Sequence, residues 1–200
     1  NHVLQSKPNV TIALSGGKSP IPLLQQLSNT SLDFSKIVFT LVDERMVAVD
    51  DPDSNENLVR KYLLQNLAIK AKFIGLYNQG LSNKEIITNI NQNIQSIDLA
   101  ILGMGEDGHT ASIFPNCQEL HQALAIDNPD NYIITNPLSA KYSRISLTLQ
   151  ALTKIPHLML SINGNTKLNV LKESARGCTL NYPISYLLSK KPMIEIFWYE

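Results

Sequence analysis

Short apolar runs recur along this chain, separated by longer stretches in which apolar residues return every three or four positions. The runs are Val10–Leu14 (VTIAL), Ile37–Val42 (IVFTLV), Ile97–Leu102 (IDLAIL), Tyr132–Thr135, Arg144–Leu149, His157–Ile162 (HLMLSI) and Ile194–Tyr199 (IEIFWY). Several are apolar at consecutive rather than alternate positions, the pattern of parallel strands covered on both faces. Helical periodicity marks Pro20–Leu27, Ser54–Leu67, Ser82–Ile94 and Thr166–Glu173. Ser54 and Ser82 stand where N-caps belong, and Glu85 follows Ser82 at the spacing of a capping box. The alternation predicts an α/β fold of three layers on a mostly parallel sheet. No internal repeat, low-complexity tract or linker interrupts it, so residues 1–200 read as one domain.

The unusual polar residues fall just past the ends of the apolar runs. VTIAL leads into Ser15-Gly16-Gly17-Lys18-Ser19-Pro20, and IVFTLV into Asp43-Glu44-Arg45. IDLAIL leads into Gly103-Met104-Gly105-Glu106-Asp107-Gly108-His109-Thr110, and HLMLSI into Asn163-Gly164-Asn165-Thr166-Lys167. In an open parallel sheet the carboxyl ends of the strands share one crevice, where ligands bind. A single such cluster could be a plain strand-to-helix turn. Four of them on one edge point to a common site.

Two nucleotide readings fail, the first on spacing and the second on charge. Gly17-Lys18-Ser19 ends like a phosphate-binding P-loop, but the required earlier glycine position is Ile12, inside a strand. The surviving reading is a Gly-Gly turn, with Ser15, Lys18 and Ser19, that faces an anion at a helix N-terminus. Gly103 to Gly108 fits G-x-G-x-x-G, yet Glu106 and Asp107 would repel a pyrophosphate and Pro115 cuts the next helix short. The glycines instead let the backbone turn sharply and present Asp107 and His109 to the crevice, among the small residues Gly108, Thr110, Ala111 and Ser112. His2, His121 and His157 have no such setting, and Cys117 with His121 lacks a second ligand pair, so no metal site is expected. Arg45 offers a fork suited to phosphate or carboxylate, and Lys167, at a helix start, an ammonium suited to a phosphate.

Composition narrows the class. The chain has 200 residues, 44% of them hydrophobic, enough for a sizeable core. Lys plus Arg and Asp plus Glu balance at 17 each, which argues against a nucleic-acid partner or a polybasic membrane surface. Two cysteines make no disulfide framework, and no apolar run has transmembrane length. The start, NHVLQSKPNV, lacks Met and the pattern of a signal peptide, so a cytoplasmic enzyme is expected.

Taken together, LSGGKSP, VDER with DSN at Asp53–Asn55, LGMGEDGHTASIFP, RISLTLQAL from Arg144, and NGNTK resemble the 6-phosphogluconolactonase family, which is related to the glucosamine-6-phosphate deaminases. The stretches occur in the family's order and span residues 12 to about 172. The resemblance implies a modified Rossmann-like sheet and hydrolysis of 6-phosphogluconolactone to 6-phosphogluconate in the oxidative pentose phosphate pathway, without a cofactor. It implies His109 as catalytic base, Asp107 as its carboxylate neighbour, and Ser15, Gly16, Gly17, Arg45, Arg144 and Lys167 around the phosphate and sugar. The expected partner is a small phosphorylated sugar lactone, and the expected state a monomer or weak homo-oligomer. Relative to the family, few residues precede the first strand, so its N-terminal helix is largely absent, and the chain ends at Glu200 before the usual Asp-Ala-Ala-like tail.

Two details separate lactonase from deaminase. Deaminases have Asp-Glu-Tyr where this chain has Asp43-Glu44-Arg45, and a Glu five residues after the catalytic His, where Phe114 stands here. The alternatives are a deaminase or isomerase of an amino sugar phosphate, with Asp43 in the binding site as proton-abstracting base, and a non-catalytic sugar-phosphate sensor. A neutral imidazole suits water activation near pH 7, and no G-x-S-x-G elbow offers a nucleophile. His109 therefore reads as base and then acid, with Asp107 orienting it and the phosphate clamp fixing the lactone carbonyl.

Overall fold

A computed structural model describes residues 7–191 and 193–200. In chain order it forms β1 (Val10–Leu14), α1 (Ile21–Ser28), β2 (Ile37–Leu41), β3 (Asp43–Arg45), α2 (Asn55–Tyr62), β4 (Lys72–Phe73), α3 (Asn83–Asn93) and β5 (Leu99–Leu102). These are followed by α4 (Leu120–Leu124), β6 (Tyr132–Thr135), β7 (Arg144–Leu147), α5 (Leu149–Lys154), β8 (His157–Asn163), α6 (Gly164–Ser174), α7 (Ile184–Lys190) and β9 (Glu195–Tyr199). Six strands pair in the order β4-β2-β1-β5-β8-β9, every pair parallel. This is the expected α/β, Rossmann-like sheet. Its inner strands bury consecutive apolar side chains, Ala13 and Leu14 on β1 and Phe39 on β2 among them. The edge strand β9 is exposed along its whole length, and Trp198 Nε1 donates to the Gly164 carbonyl at 3.2 Å.

A second, antiparallel sheet has the order β3-β7-β6. Asp43-Glu44-Arg45, read from the sequence as a polar cluster past the end of β2, is a strand of its own, paired with Arg144–Ser146. Val42 is the joint: its N–H donates to the Leu14 carbonyl of β1 (3.0 Å), and its carbonyl accepts the Leu147 N–H of β7 (2.9 Å). Buried Tyr132 adds a bond between sheets, its hydroxyl donating to the Leu41 carbonyl at 2.8 Å.

Helix starts follow the capping residues. Ser54 Oγ accepts the Asn57 N–H (3.1 Å), and Ser82 with Glu85 forms the capping box. The Ser54 helix stops at Tyr62 instead of Leu67. Thr148 caps a helix from Leu149 that ends the expected 144–149 strand at Leu147. Helix α6 begins at Gly164, ahead of the expected Thr166. The expected lack of an N-terminal helix concerns residues that largely lie outside those described. Among the described residues, no helix is long and apolar enough to cross a membrane.

Candidate active site

Strands β1, β5 and β8 are neighbours, and the loops leaving their carboxyl ends border a cavity of about 810 Å³. A small-molecule site has that size. Ser15, Gly16, Gly17 and Ser19 line it from the loop after β1, His109 from the loop after β5, and Lys167 from the first turn of α6. Asp43 and Arg45 reach it from β3, and Arg144 from β7. Two expected residues stand apart. Lys18 is exposed and outside the lining, and Asp107 meets the cavity only through His109.

The loop after β5 is folded tightly on itself. Thr110 Oγ1 donates to the Gly103 carbonyl (2.9 Å), and the Gly105 N–H donates to the His109 carbonyl (2.9 Å). The imidazole lies over Gly105, where a Cβ would come within 2.3 Å of the ring, so glycine alone fits. Asp107 Oδ1 lies 2.6 Å from His109 Nδ1 and accepts the His109 N–H at 3.2 Å. Burial alone would push the Asp107 carboxyl up; the hydrogen bond and charge of His109 outweigh it and hold the group below its ordinary value. When the imidazole is neutral, an ionised Asp107 favours the tautomer with its proton on Nδ1, which leaves Nε2 with a free lone pair. Buried Phe114 stacks on the imidazole, ring centroids 4.0 Å apart and planes 21° off parallel. The carboxylate that a deaminase would carry at this position is thus replaced by an apolar face against His109.

A pair of guanidiniums also borders the cavity. Strand register sets Arg45 directly opposite Arg144, which puts the two side chains on one face of the sheet. Burial, and then the neighbouring Arg45 charge, hold Arg144 below its ordinary value. Arg45 Nη1 donates to the Asp53 carbonyl, while the buried Nε of each guanidinium has no hydrogen-bond partner among the described residues. Two partly desolvated like charges side by side call for an anion.

Several contacts carry no signal of their own in the sequence. The Ser15 hydroxyl donates to the Ile101 carbonyl (2.9 Å) and accepts the Gly103 N–H (3.2 Å), so it stitches two loops together. Ser112 Oγ donates to Asp43 Oδ2 at 2.6 Å. Glu44, only 2% exposed, accepts the N–H groups of Arg45 (2.6 Å), Asn55 (2.8 Å) and Glu56 (2.7 Å) and the Ser54 hydroxyl (3.1 Å). Burial pushes this carboxyl up against the pull of those donors. Its place at the start of α2 also meets the positive end of the helix dipole.

A family model described as glucosamine-6-phosphate isomerases/6-phosphogluconolactonase matches residues 1–198. A 6-phosphogluconolactonase of Helicobacter pylori strain J99 is 40% identical over 202 residues, covering 99% of this chain and 87% of the relative. A 6-phosphogluconolactonase of Neisseria meningitidis strain Z2491 is 36% identical over 203 residues, covering 98% of this chain and 88% of the relative. The crystal structure of a 6-phosphogluconolactonase from Shewanella baltica OS155 superposes with a TM-score of 0.91 at 34% identity, covering 98% of this chain and 86% of that one.

Proposed function

This chain belongs to the glucosamine-6-phosphate isomerase/6-phosphogluconolactonase family, and from that premise we propose that it hydrolyses 6-phosphogluconolactone to 6-phosphogluconate, with water activated by His109. The reaction is that of the oxidative pentose phosphate pathway, and we place the chain in the cytoplasm as one lactonase domain working without a metal or organic cofactor. The observation that carries the reading is the setting of His109. Its Nδ1 is engaged by Asp107, its face is covered by Phe114, and the residue lines a cavity with a pair of guanidiniums.

In this mechanism Nε2 takes a proton from water as the oxygen attacks the lactone carbonyl carbon. The imidazolium is stabilised by Asp107 and returns the proton to the ring oxygen as the ester bond breaks. Arg45, Arg144 and Lys167 hold the phosphate, whose binding energy fixes the carbonyl against His109. A deaminase needs a further acid–base group in reach of the reacting carbons, and Phe114 cannot transfer a proton.

Offering 6-phosphogluconolactone and glucosamine 6-phosphate separately to the purified protein tests the reading. Turnover of the lactone and none of the amino sugar is expected, and the reverse result overturns it. Arg45→Ala and Arg144→Ala should each lower kcat/KM for the phosphorylated lactone about 10- to 150-fold, the worth of a charge-assisted hydrogen bond, and spare unphosphorylated gluconolactone.

A further inference from the structure

The Gly16–Gly17 turn and β3 are distant in sequence yet meet through one side chain. Asn55 opens α2, is 1% exposed and lines the cavity. Its N–H donates to Glu44 Oε1 (2.8 Å) and its Nδ2 to the Asp43 carbonyl (2.8 Å). Its Oδ1 is buried with no hydrogen-bond partner among the described residues. The amide covers Gly16 so closely that a Cβ there would lie 1.8 Å from Oδ1 and 2.2 Å from Cγ. Gly16 is not among the glycines with positive φ, so a left-handed backbone is not what calls for glycine there. The space that Asn55 occupies is what requires glycine.

We propose that Asn55 is a positioning residue for the phosphate end of the site. Through the Asp43 carbonyl it holds β3, and with it Arg45 opposite Arg144. Through its amide, packed over Gly16, it sets how near the Gly16–Gly17 turn comes to those guanidiniums. A buried acceptor with no hydrogen-bond partner is costly. That cost fits a role in fixing this gap. The inference rests on the reading that a phosphate binds there.

A double-mutant cycle tests it. The variants are Gly16→Ala, Asn55→Ala and the pair, with 6-phosphogluconate affinity measured by calorimetry and gluconate as the unphosphorylated control. Each single substitution should weaken 6-phosphogluconate roughly 10-fold, the size of a lost hydrogen bond. The double should be no weaker than Asn55→Ala alone, because the new methyl occupies the space the amide has left. A residue serving stability alone would lower the melting temperature and leave affinity and coupling unmoved. Losses that multiply in the double, or singles with wild-type affinity, overturn the proposal. Asn55→Ser takes the place of Asn55→Ala if that variant does not fold. Wild-type protein that fails to bind 6-phosphogluconate would overturn the phosphate reading itself, a result distinct from normal binding without coupling.

Discussion

Replacing Asp107 with Asn keeps the shape of the carboxylate and removes its charge. Among the described residues that carboxylate serves one partner, accepting the backbone N–H of His109 and pairing with its Nδ1. A hydrogen bond to a charged group contributes about 1.5–3 kcal/mol, equivalent to a factor of about 10 to 150. The Asp107 side chain is 40% exposed, so solvent screens the pair and the lower end applies. Asp107→Asn should therefore lower kcat by about 10- to 30-fold, with KM nearly unchanged because the cationic clamp is untouched. His109→Ala should lower kcat by about 10² to 10⁴, the usual contribution of a positioned base. The informative variant is the double. If Asp107 acts only through the imidazole, adding Asp107→Asn to His109→Ala should cost nothing further. The assay follows acid release from 6-phosphogluconolactone at constant pH, with spontaneous hydrolysis subtracted. A double mutant slower than His109→Ala by the full Asp107→Asn factor would show an independent role for Asp107. Wild-type turnover in Asp107→Asn would remove the carboxylate from the mechanism.

Three further outcomes follow from the same contacts. Phe114→Leu should lower kcat about 2- to 10-fold while Phe114→Tyr retains most of it, since an aromatic pair contributes about 0.5–1.5 kcal/mol; initial rates at saturating lactone measure this. Glu44→Gln should cost about 1–3 kcal/mol of stability by calorimetric melting, because one amide oxygen cannot serve four donors. Its pH dependence has a definite sign. The folded carboxyl holds its proton more tightly than the unfolded one, so the wild type gains on Glu44→Gln as pH falls through the raised folded value towards the ordinary 4.5. Of the two free cysteines, exposed Cys178 should react with a disulfide reagent at once, while buried Cys117, its thiol pushed up by burial, should wait for denaturation; thiol counting before and after unfolding checks it.

Much of this arrangement is legible in the chain because parallel strands announce themselves by continuous apolar runs, and their carboxyl ends by glycine and charge. That logic places Gly16, His109 and Lys167 beside one crevice. It also brings Asp43 and Arg45 there, but not the strand they form by pairing with a partner about a hundred residues later. Local pattern does not encode such a long-range register. Nor does it encode Asn55 against Gly16, or Ser15 as a stitch between loops, since both depend on how separate loops approach. Lys18 is the opposite case, a cation in the right string whose side chain ends in solvent.

The joint at Val42 has a consequence for how such an enzyme can change. His109, the proposed base, follows a strand of the parallel sheet and the paired guanidiniums lie on the antiparallel one, and among the described residues Val42 joins the two sheets by backbone hydrogen bonds. On the proposed roles, the guanidinium pair and the reacting imidazole thus ride on different sheets, while Lys167 joins the pair from α6. Position 114, whose side chain packs on His109, can take a new acid or base while the Arg45–Arg144 pair stays in place. A scaffold divided in this way can exchange ester hydrolysis for proton transfer by few substitutions, which is a physical reason for one family to hold both isomerases and lactonases.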